Sequence, residues 1–297
     1  MFRCMHHAVI DSTNLEALRA WPPPPEAEVS SGGTPQPLLV SADAQTAGRG
    51  RTDRPWQSPV GGLWMSIAWP PARQPDHYIA LPLAVGLAVA KAVGRICRID
   101  CAIKWPNDLL VNDRKLGGIL CRYDAPAPGS GGLAPLPGTH LPGVLIIGLG
   151  VNGNYPASAL GDDLRHPATS LLDQTGRATD LTLLRNAVAG QLAATLKAYD
   201  EHGLSPMLDE LRARLVWRDQ LVACDLPDVS GDSGDSGGSM IVGRLMDIDA
   251  AGRLVLDDRG TTRLISVGDI RHLRHANEIT PSSRNPVYVS ECSICRS

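Results

Sequence analysis

The sequence predicts an α+β fold, with a mixed domain over residues 1–218 and a small all-β module over residues 219–275. Three observations carry this. Apolar residues recur at three- and four-residue steps over 76–95 and 181–201, the mark of amphipathic helices. Between these windows lie short apolar runs of strand length. After residue 218 the helical period stops, and short β-prone segments alternate with glycine turns.

In chain order, Asp11-Ser12-Thr13 offers capping chemistry before a short helix over 14–21. Strands are expected at 38–41 and 62–69. The 76–95 helix contains Pro82, which requires a later start or a kink. A strand follows at 101–105, closed by a Pro106-Asn107-Asp108 turn. Runs 117–123 and 143–151 flank an insert and read as a long hairpin. Thr179 or Asp180 caps the 181–201 helix, and a second helix spans about 206–217. The β module comprises 220–226, 239–247, 252–257 and 263–266.

Many of the 30 glycines and 24 prolines gather in 22–37, 124–142 and 227–239. Such segments bury too little apolar surface to offset their ordering entropy, so they read as surface loops, and 276–297 reads as a loose tail. A net charge of −3 argues against a generic nucleic-acid binder. No apolar run reaches the roughly 18 residues of a membrane span. The N-terminal MFRCMHHAVIDS lacks an apolar signal core, so the expected location is cytoplasmic. Seven scattered cysteines fit reduced thiols. Cys292 and Cys295 form a C-x-x-C without the partners that a zinc or redox site needs.

Three stretches carry chemistry. Residues 45–56 place Gly48, Gly50, Arg49, Arg51 and Arg54 just before Trp56. Glycines admit close backbone approach, forked guanidiniums suit phosphate or carboxylate, and an indole supplies a flat wall. The loop therefore reads as an anion site, with a solvated basic loop as the plainer alternative. It matches neither a Walker A loop nor a Rossmann fingerprint. Lys104 ends a strand, where a rigid support can aim its ammonium, although a surface lysine before a turn is the plainer and favoured reading of this stretch alone. Gly148 and Gly150 interrupt an apolar strand ahead of Asn152. They weaken it unless a ligand or a neighbouring helix approaches closely.

Taken in order, four groups of residues resemble the motifs of the biotin–protein ligases. They are Asp11-Ser12-Thr13-Asn14; Gly48-Arg49-Gly50-Arg51 with Trp56-Gln57-Ser58-Pro59 and Gly61-Gly62-Leu63; Lys104-Trp105-Pro106-Asn107-Asp108 with Lys115-Leu116-Gly117-Gly118-Ile119-Leu120; and Gly148-Leu149-Gly150-Val151-Asn152. The likeness covers about residues 7–275. It implies a mixed-sheet catalytic domain of the biotin/lipoate ligase type with a C-terminal small SH3-like β-barrel. The implied activity uses ATP, with Mg²⁺, to activate biotin as biotinoyl-5'-AMP. Transfer to a lysine of a biotin carboxyl carrier protein follows. A lipoate or octanoate ligase or transferase of the related fold stays open, as does a non-catalytic biotin-binding regulator. Because the Ser-Thr-Asn segment begins at residue 12, the resemblance is to the short form without a DNA-binding domain. Neither DNA nor membrane is then an expected partner, and a homodimer is left open.

The resemblance also assigns residues. Ser12, Thr13, Asn14 and Gln45 fall on the ureido ring of biotin, whose two N–H groups and carbonyl call for short hydroxyl and amide partners. Arg49, Gly50 and Arg51 fall beside carboxylate and phosphate. Lys104 falls on the carboxylate oxygen or α-phosphate through both steps, and with Arg51 forms the implied catalytic pair. Gly118 falls against the biotin tail. Arg51, Arg54, Trp56, Lys115 and Asn152 fall on the adenylate. No metal ligand is expected from the protein, since Mg²⁺ travels with ATP. Arg271 or Arg274 matches a family arginine near the end of the β module. One departure stands out: Thr52-Asp53 occupies loop positions where the family usually has another residue, then glycine.

Overall fold

The computed structural model describes residues 2–21, 35–125, 143–161, 164, 166–226, 240–266 and 268–272. The tail and nearly all of the three inserts lie outside the described residues. The chain falls into two compact units, Met1–Arg214 and Leu215–Ser297.

The first unit runs β1 (Arg3–Ile10), α1 (Thr13–Arg19), β2 (Leu38–Gln45), β3 (Leu63–Trp69), α2 (Leu81–Cys97), β4 (Ala102–Lys104), β5 (Asp108–Val111), β6 (Arg114–Asp124), β7 (Val144–Val151), α3 (Leu171–Thr175), α4 (Leu181–His202) and α5 (Leu208–Arg214). The strands form one seven-stranded mixed sheet in the order β1-β2-β3-β7-β6-β5-β4. Only β1 and β2 pair in parallel; the other neighbours are antiparallel. Side chains alternate between the two faces of such a sheet. On one face Ala17 of α1 packs with Val40, Ala68 and Ile146. On the other lies α2, where a Cβ added at Gly86 would sit 3.6 Å from Ile119 Cδ1 and 4.0 Å from Leu109 Cδ2. Helix α4 packs on α2. The sheet is therefore covered by α1 on one face and by the α2–α4 layer on the other.

Several expectations shift in register. Residues Pro75–Tyr78 form a separate 3₁₀ turn, and α2 begins at Leu81 with Pro82 in its first turn. There a missing N–H leaves no helical bond unmade. The helix expected at 206–217 is shorter, a 3₁₀ turn at Ser205–Met207 followed by α5. Strands β1 and β5 and helix α3 were not expected. The segment Pro75–Cys97 is long and apolar enough to cross a membrane by length and composition, contrary to the sequence expectation, but 67% of its apolar window is buried. None of the five described cysteines is in a disulfide. Burial pushes the thiols of Cys97, Cys101 and Cys121 up, that of Cys101 to about 12, which keeps them protonated and unreactive.

Asp180 caps α4 by accepting a hydrogen bond from the Leu183 amide at 2.9 Å. Replacing it with alanine leaves that amide unpaired in the fold. We expect a loss of about 1 kcal/mol in stability, read as a lower urea midpoint at unchanged slope.

The second unit holds β8 (Leu221–Asp225), β9 (Met240–Ile248), β10 (Leu254–Asp258), β11 (Thr261–Ile265) and β12 (Asp269–His272). They form an antiparallel sheet in the order β11-β10-β9-β8-β12, with Val222, Leu245, Ile248, Leu254 and Leu256 fully buried. The arrangement is consistent with an SH3-like module. Among the described residues, however, no pairing between β11 and β12 closes the expected barrel. Strand β12 was not expected; the backbone of Arg271 pairs there with Ala223. The side chain of Arg271, and Arg274, Cys292 and Cys295 altogether, lie outside the described residues.

Candidate active site

Sheet register builds the site. Ala42, Trp64, Gly150, Gly118, Asp108 and Lys104 are successive cross-strand partners on β2, β3, β7, β6, β5 and β4. Directly paired residues share a face, so these six form one transverse row. The next row on the same face runs Val40, Ser66, Gly148 and Leu120. This is the face that carries α1. Residues separated by more than a hundred positions therefore meet in two adjacent rows, and the glycines leave a shallow floor between the bulky members.

A polar cluster stands at one side of that floor. Ser12 is the N-cap of α1, and Ser12 and Thr13 are buried. Gln45 Oε1 accepts from the Thr13 amide at 2.8 Å and from Thr13 Oγ1 at 3.1 Å. Gln45 Nε2 donates to Ser58 Oγ at 2.8 Å. Ser66 Oγ, fully buried, lies 2.7 Å from Thr13 Oγ1 and within hydrogen-bond distance of Asn14 Oδ1. The Asn14 amide rests on Gly148: a Cβ there would fall on its Oδ1, with Nδ2 at 2.7 Å. Thr13, Asn14 and Gln45, three of the four residues assigned to the ureido ring, are thus gathered with Ser58 and Ser66, and Ser12 directly precedes them as the buried N-cap.

The glycine–arginine loop folds back over the floor. Isolated bridges Gln45–Ser58 and Arg49–Pro55 pin it, and the Trp56 amide donates to Gly48 O at 2.8 Å. A Cβ at Gly48 would strike Trp56 O, so glycine is required by close approach rather than by backbone angle. The tip is a 3₁₀ turn, Arg51–Asp53, with Thr52 at φ 52°. A β-branched residue is strained in that left-handed region. The strain therefore falls one residue before Asp53, whose side chain lies outside the described residues. Arg51 is half-buried, and its Nη1 donates to Asn107 Oδ1 at 3.3 Å. Arg49 and Arg54 stand exposed on the same loop. The Trp56 ring lies on the glycine floor. Its Nε1 is 2.7 Å from a Cβ position at Gly150, and its Cζ3 is 3.5 Å from one at Gly118. That places Trp56 with the residue assigned to the biotin tail.

The cationic side is built by the β4–β5 hairpin, which turns through a cis Trp105–Pro106 peptide. Lys104 is 2% exposed. Its Nζ lies 3.2 Å from His166 Nε2 and 3.9 Å from Asp108 Oδ2. Asp108 Oδ1 pairs with Lys115 Nζ at 2.7 Å, and Lys115 Nζ sits 5.1 Å from the centre of the Trp56 ring. The plainer reading of Lys104 as a surface lysine does not hold. Asn107 is fixed in turn, donating from Nδ2 to Ile119 O at 2.7 Å.

Asn152 differs from its sequence reading as an amide presented at a strand end. It is 3% exposed, its Nδ2 donates to Thr169 O at 2.9 Å, and its Oδ1 accepts from Tyr155 Oη at 2.8 Å. Burial pushes the Tyr155 hydroxyl up, keeping it a donor. Asn152 thus ties the segment after β7 onto the sheet. Sequence reasoning missed Ser66, Asp108 and His166 as site members. Asp108 stands in the Lys104–Asp108 motif and could have been found there; Ser66 sits in an apolar strand and His166 outside every motif.

Against this geometry, the comparisons with known proteins agree. Residues 11–129 match the model of the biotin/lipoate A/B protein ligase family. The biotin–[acetyl-CoA-carboxylase] ligase of Mycobacterium tuberculosis is 32% identical over 271 residues, covering 89% of this chain and 86% of that protein. The bifunctional ligase/repressor BirA of Bacillus subtilis is 30% identical over 214 residues, covering 72% of this chain. This chain spans 58% of the length of that relative. The structure of the Aquifex aeolicus biotin protein ligase in complex with biotin and ATP superposes with a TM-score of 0.70 at 24% identity, over 92% of this chain and all of that one. The fold and the family match thus place the chain in the class of the biotin/lipoate protein ligases. More narrowly, the chain belongs to the biotin–protein ligase family.

Proposed function

We propose that this chain activates biotin with ATP as biotinoyl-5'-AMP and transfers the biotinoyl group to a lysine of a biotin carboxyl carrier protein. The observation that carries the reading is the convergence, on one sheet face, of a buried hydroxyl–amide cluster, a glycine floor under an indole, and a buried lysine on the hairpin that Arg51 reaches through Asn107. The relative named for acetyl-CoA carboxylase supports the acceptor, and the Aquifex complex supports the two substrates.

In the first step a biotin carboxylate oxygen attacks the α-phosphorus of ATP, and the bond to the β,γ-pyrophosphate breaks. Two anions must meet, so fixed positive charge and alignment are the chief requirements. Lys104 and Arg51 supply the charge. Ser12, Thr13, Asn14 and Gln45 hold the ureido ring, while Gly118 bounds the tail. Arg49, Gly50, Arg54, Trp56 and Lys115 belong to the phosphate and adenylate side, and Asn152 stands behind them, tying the segment after β7 onto the sheet. In the second step the carrier's lysine amine attacks the acyl carbon, AMP leaves, and the amine gives up a proton. Among the described residues no cluster of three His, Cys, Asp or Glu gathers. Asp108, the carboxylate in the site, is held by Lys115. In this reading Mg²⁺ belongs to ATP.

The test is mass spectrometry of a carboxylase carrier domain incubated with the full chain and ATP, plus biotin or lipoic acid. The expected product is a carrier heavier by one biotinoyl group on its lysine, with pyrophosphate released only when biotin is present. Lipoyl addition, or binding without pyrophosphate release, would overturn the reading.

A further inference from the structure

The contact between Lys104 and His166 belongs to none of the motifs. His166 follows β7 by fifteen positions, yet it is held in place. Ala168 forms a parallel bridge with Lys115, the Lys115 amide donates to Pro167 O at 2.8 Å, and the Thr169 amide donates to Lys115 O at 2.9 Å. The segment is therefore tied onto β6 immediately after His166. An ammonium has protons to give and no lone pair, so across 3.2 Å His166 Nε2 must accept. The imidazole is then neutral, with its own proton on Nδ1.

Resting on the biotin-activation reading above, we propose that His166 is a positioning residue that aims the Lys104 ammonium at the reacting carboxylate and α-phosphate, and does so only while its imidazole is neutral. A lysine side chain has four rotatable bonds, and its carboxylate contact to Asp108 is long, at 3.9 Å. The imidazole supplies a shorter, directional second contact. Protonation removes the accepting lone pair and sets two cations 3.2 Å apart. The charged groups that the described residues bring toward Lys104 are Asp108 from β5, Lys115 from β6 through its pair with Asp108, and Arg51 from the loop through Asn107. Asp108 already faces Lys115 at 2.7 Å, so it is poorly placed to offset a second new cation.

The test uses the full chain and single-turnover, biotin-dependent pyrophosphate release at saturating substrates, across about pH 5 to 8, where imidazoles change charge. His166→Gln keeps an acceptor that does not titrate; His166→Ala removes it. Because ATP and biotin titrate identically in every reaction, the ratio of wild-type to variant rate isolates the imidazole. We expect His166→Gln to stay within about threefold of wild type at the alkaline end and to overtake it as pH falls. His166→Ala should lose about tenfold in this rate at the alkaline end, the worth of one charge-assisted hydrogen bond, while the biotin concentration for half-maximal rate, found by titrating biotin there, moves little. Parallel pH profiles for wild type and both variants would overturn the role of His166 while leaving biotin activation standing. No release by wild type at any pH would overturn the biotin reading, and this inference with it.

Discussion

Replacing Lys104 with alanine is expected to slow biotin-dependent pyrophosphate release about 100-fold while the protein stays folded. The size follows from removing one preorganised charge from a dry site, about 3 kcal/mol in the transition state. Lys104 is 2% exposed, so its charge is screened little by water, and a surface lysine would give a far smaller effect. The fold should survive because Asp108 retains its 2.7 Å partner Lys115, so no buried carboxylate is stranded. Lys104→Met separates charge from packing: it fills the same space without the ammonium and should lose as much rate as alanine. Arg51→Ala should lose less. Arg51 is half-buried and reaches the β4–β5 hairpin through Asn107. Thermal unfolding run beside the kinetics checks the premise; rates within threefold of wild type for Lys104→Met would remove Lys104 from the chemistry.

How far the sequence could be read is clear from particular elements. Helices α2 and α4 announced themselves by period, because each is a long apolar-periodic segment. The β6–β7 hairpin was legible from two apolar runs around an insert. Strand β1 was not, since as an edge strand it is mostly exposed and RCMHHAVI shows no apolar alternation. Strand β5 was hidden by the turn chemistry of Pro106-Asn107-Asp108, although Asp108 is already its first residue. In the site, motif residues were found because their types are unusual for a strand end or a loop. Their arrangement was not legible, since it depends on sheet register between strands far apart in sequence. Register is what puts Gly150 between Trp64 and Gly118, and Lys104 in line with both. Ser66 shows the limit most clearly: a serine in GLWMSIAW looks like a tolerated polar residue. Only the fold reveals that it faces Thr13 and Asn14 rather than the α2 layer.

The same rows predict that Gly148→Ala attacks biotin binding rather than chemistry. Gly148 has no need of an unusual backbone angle, since it lies within β7, paired to Ser66 and Leu120. What it provides is room, because a methyl group there would fall on the Asn14 amide. Asn14 has only two side-chain torsions and sits in the first turn of α1, which is itself packed on the sheet, so its amide must swing away from Ser66 and out of the polar cluster. The expected result is a KM for biotin raised about 10- to 100-fold, the worth of one or two lost polar contacts. At saturating biotin the rate should change little, because Lys104 and Arg51 lie across the floor. Stability should fall by about 1–3 kcal/mol from overpacking. A double-mutant cycle identifies the cause. Asn14→Ala alone should also raise KM. In that background, Gly148→Ala should add almost nothing, since the methyl then enters the space the amide has left. If instead the two effects multiply, the methyl is acting on something other than Asn14, and the placement of Asn14 against the glycine floor fails as the explanation of how this face holds its ligand.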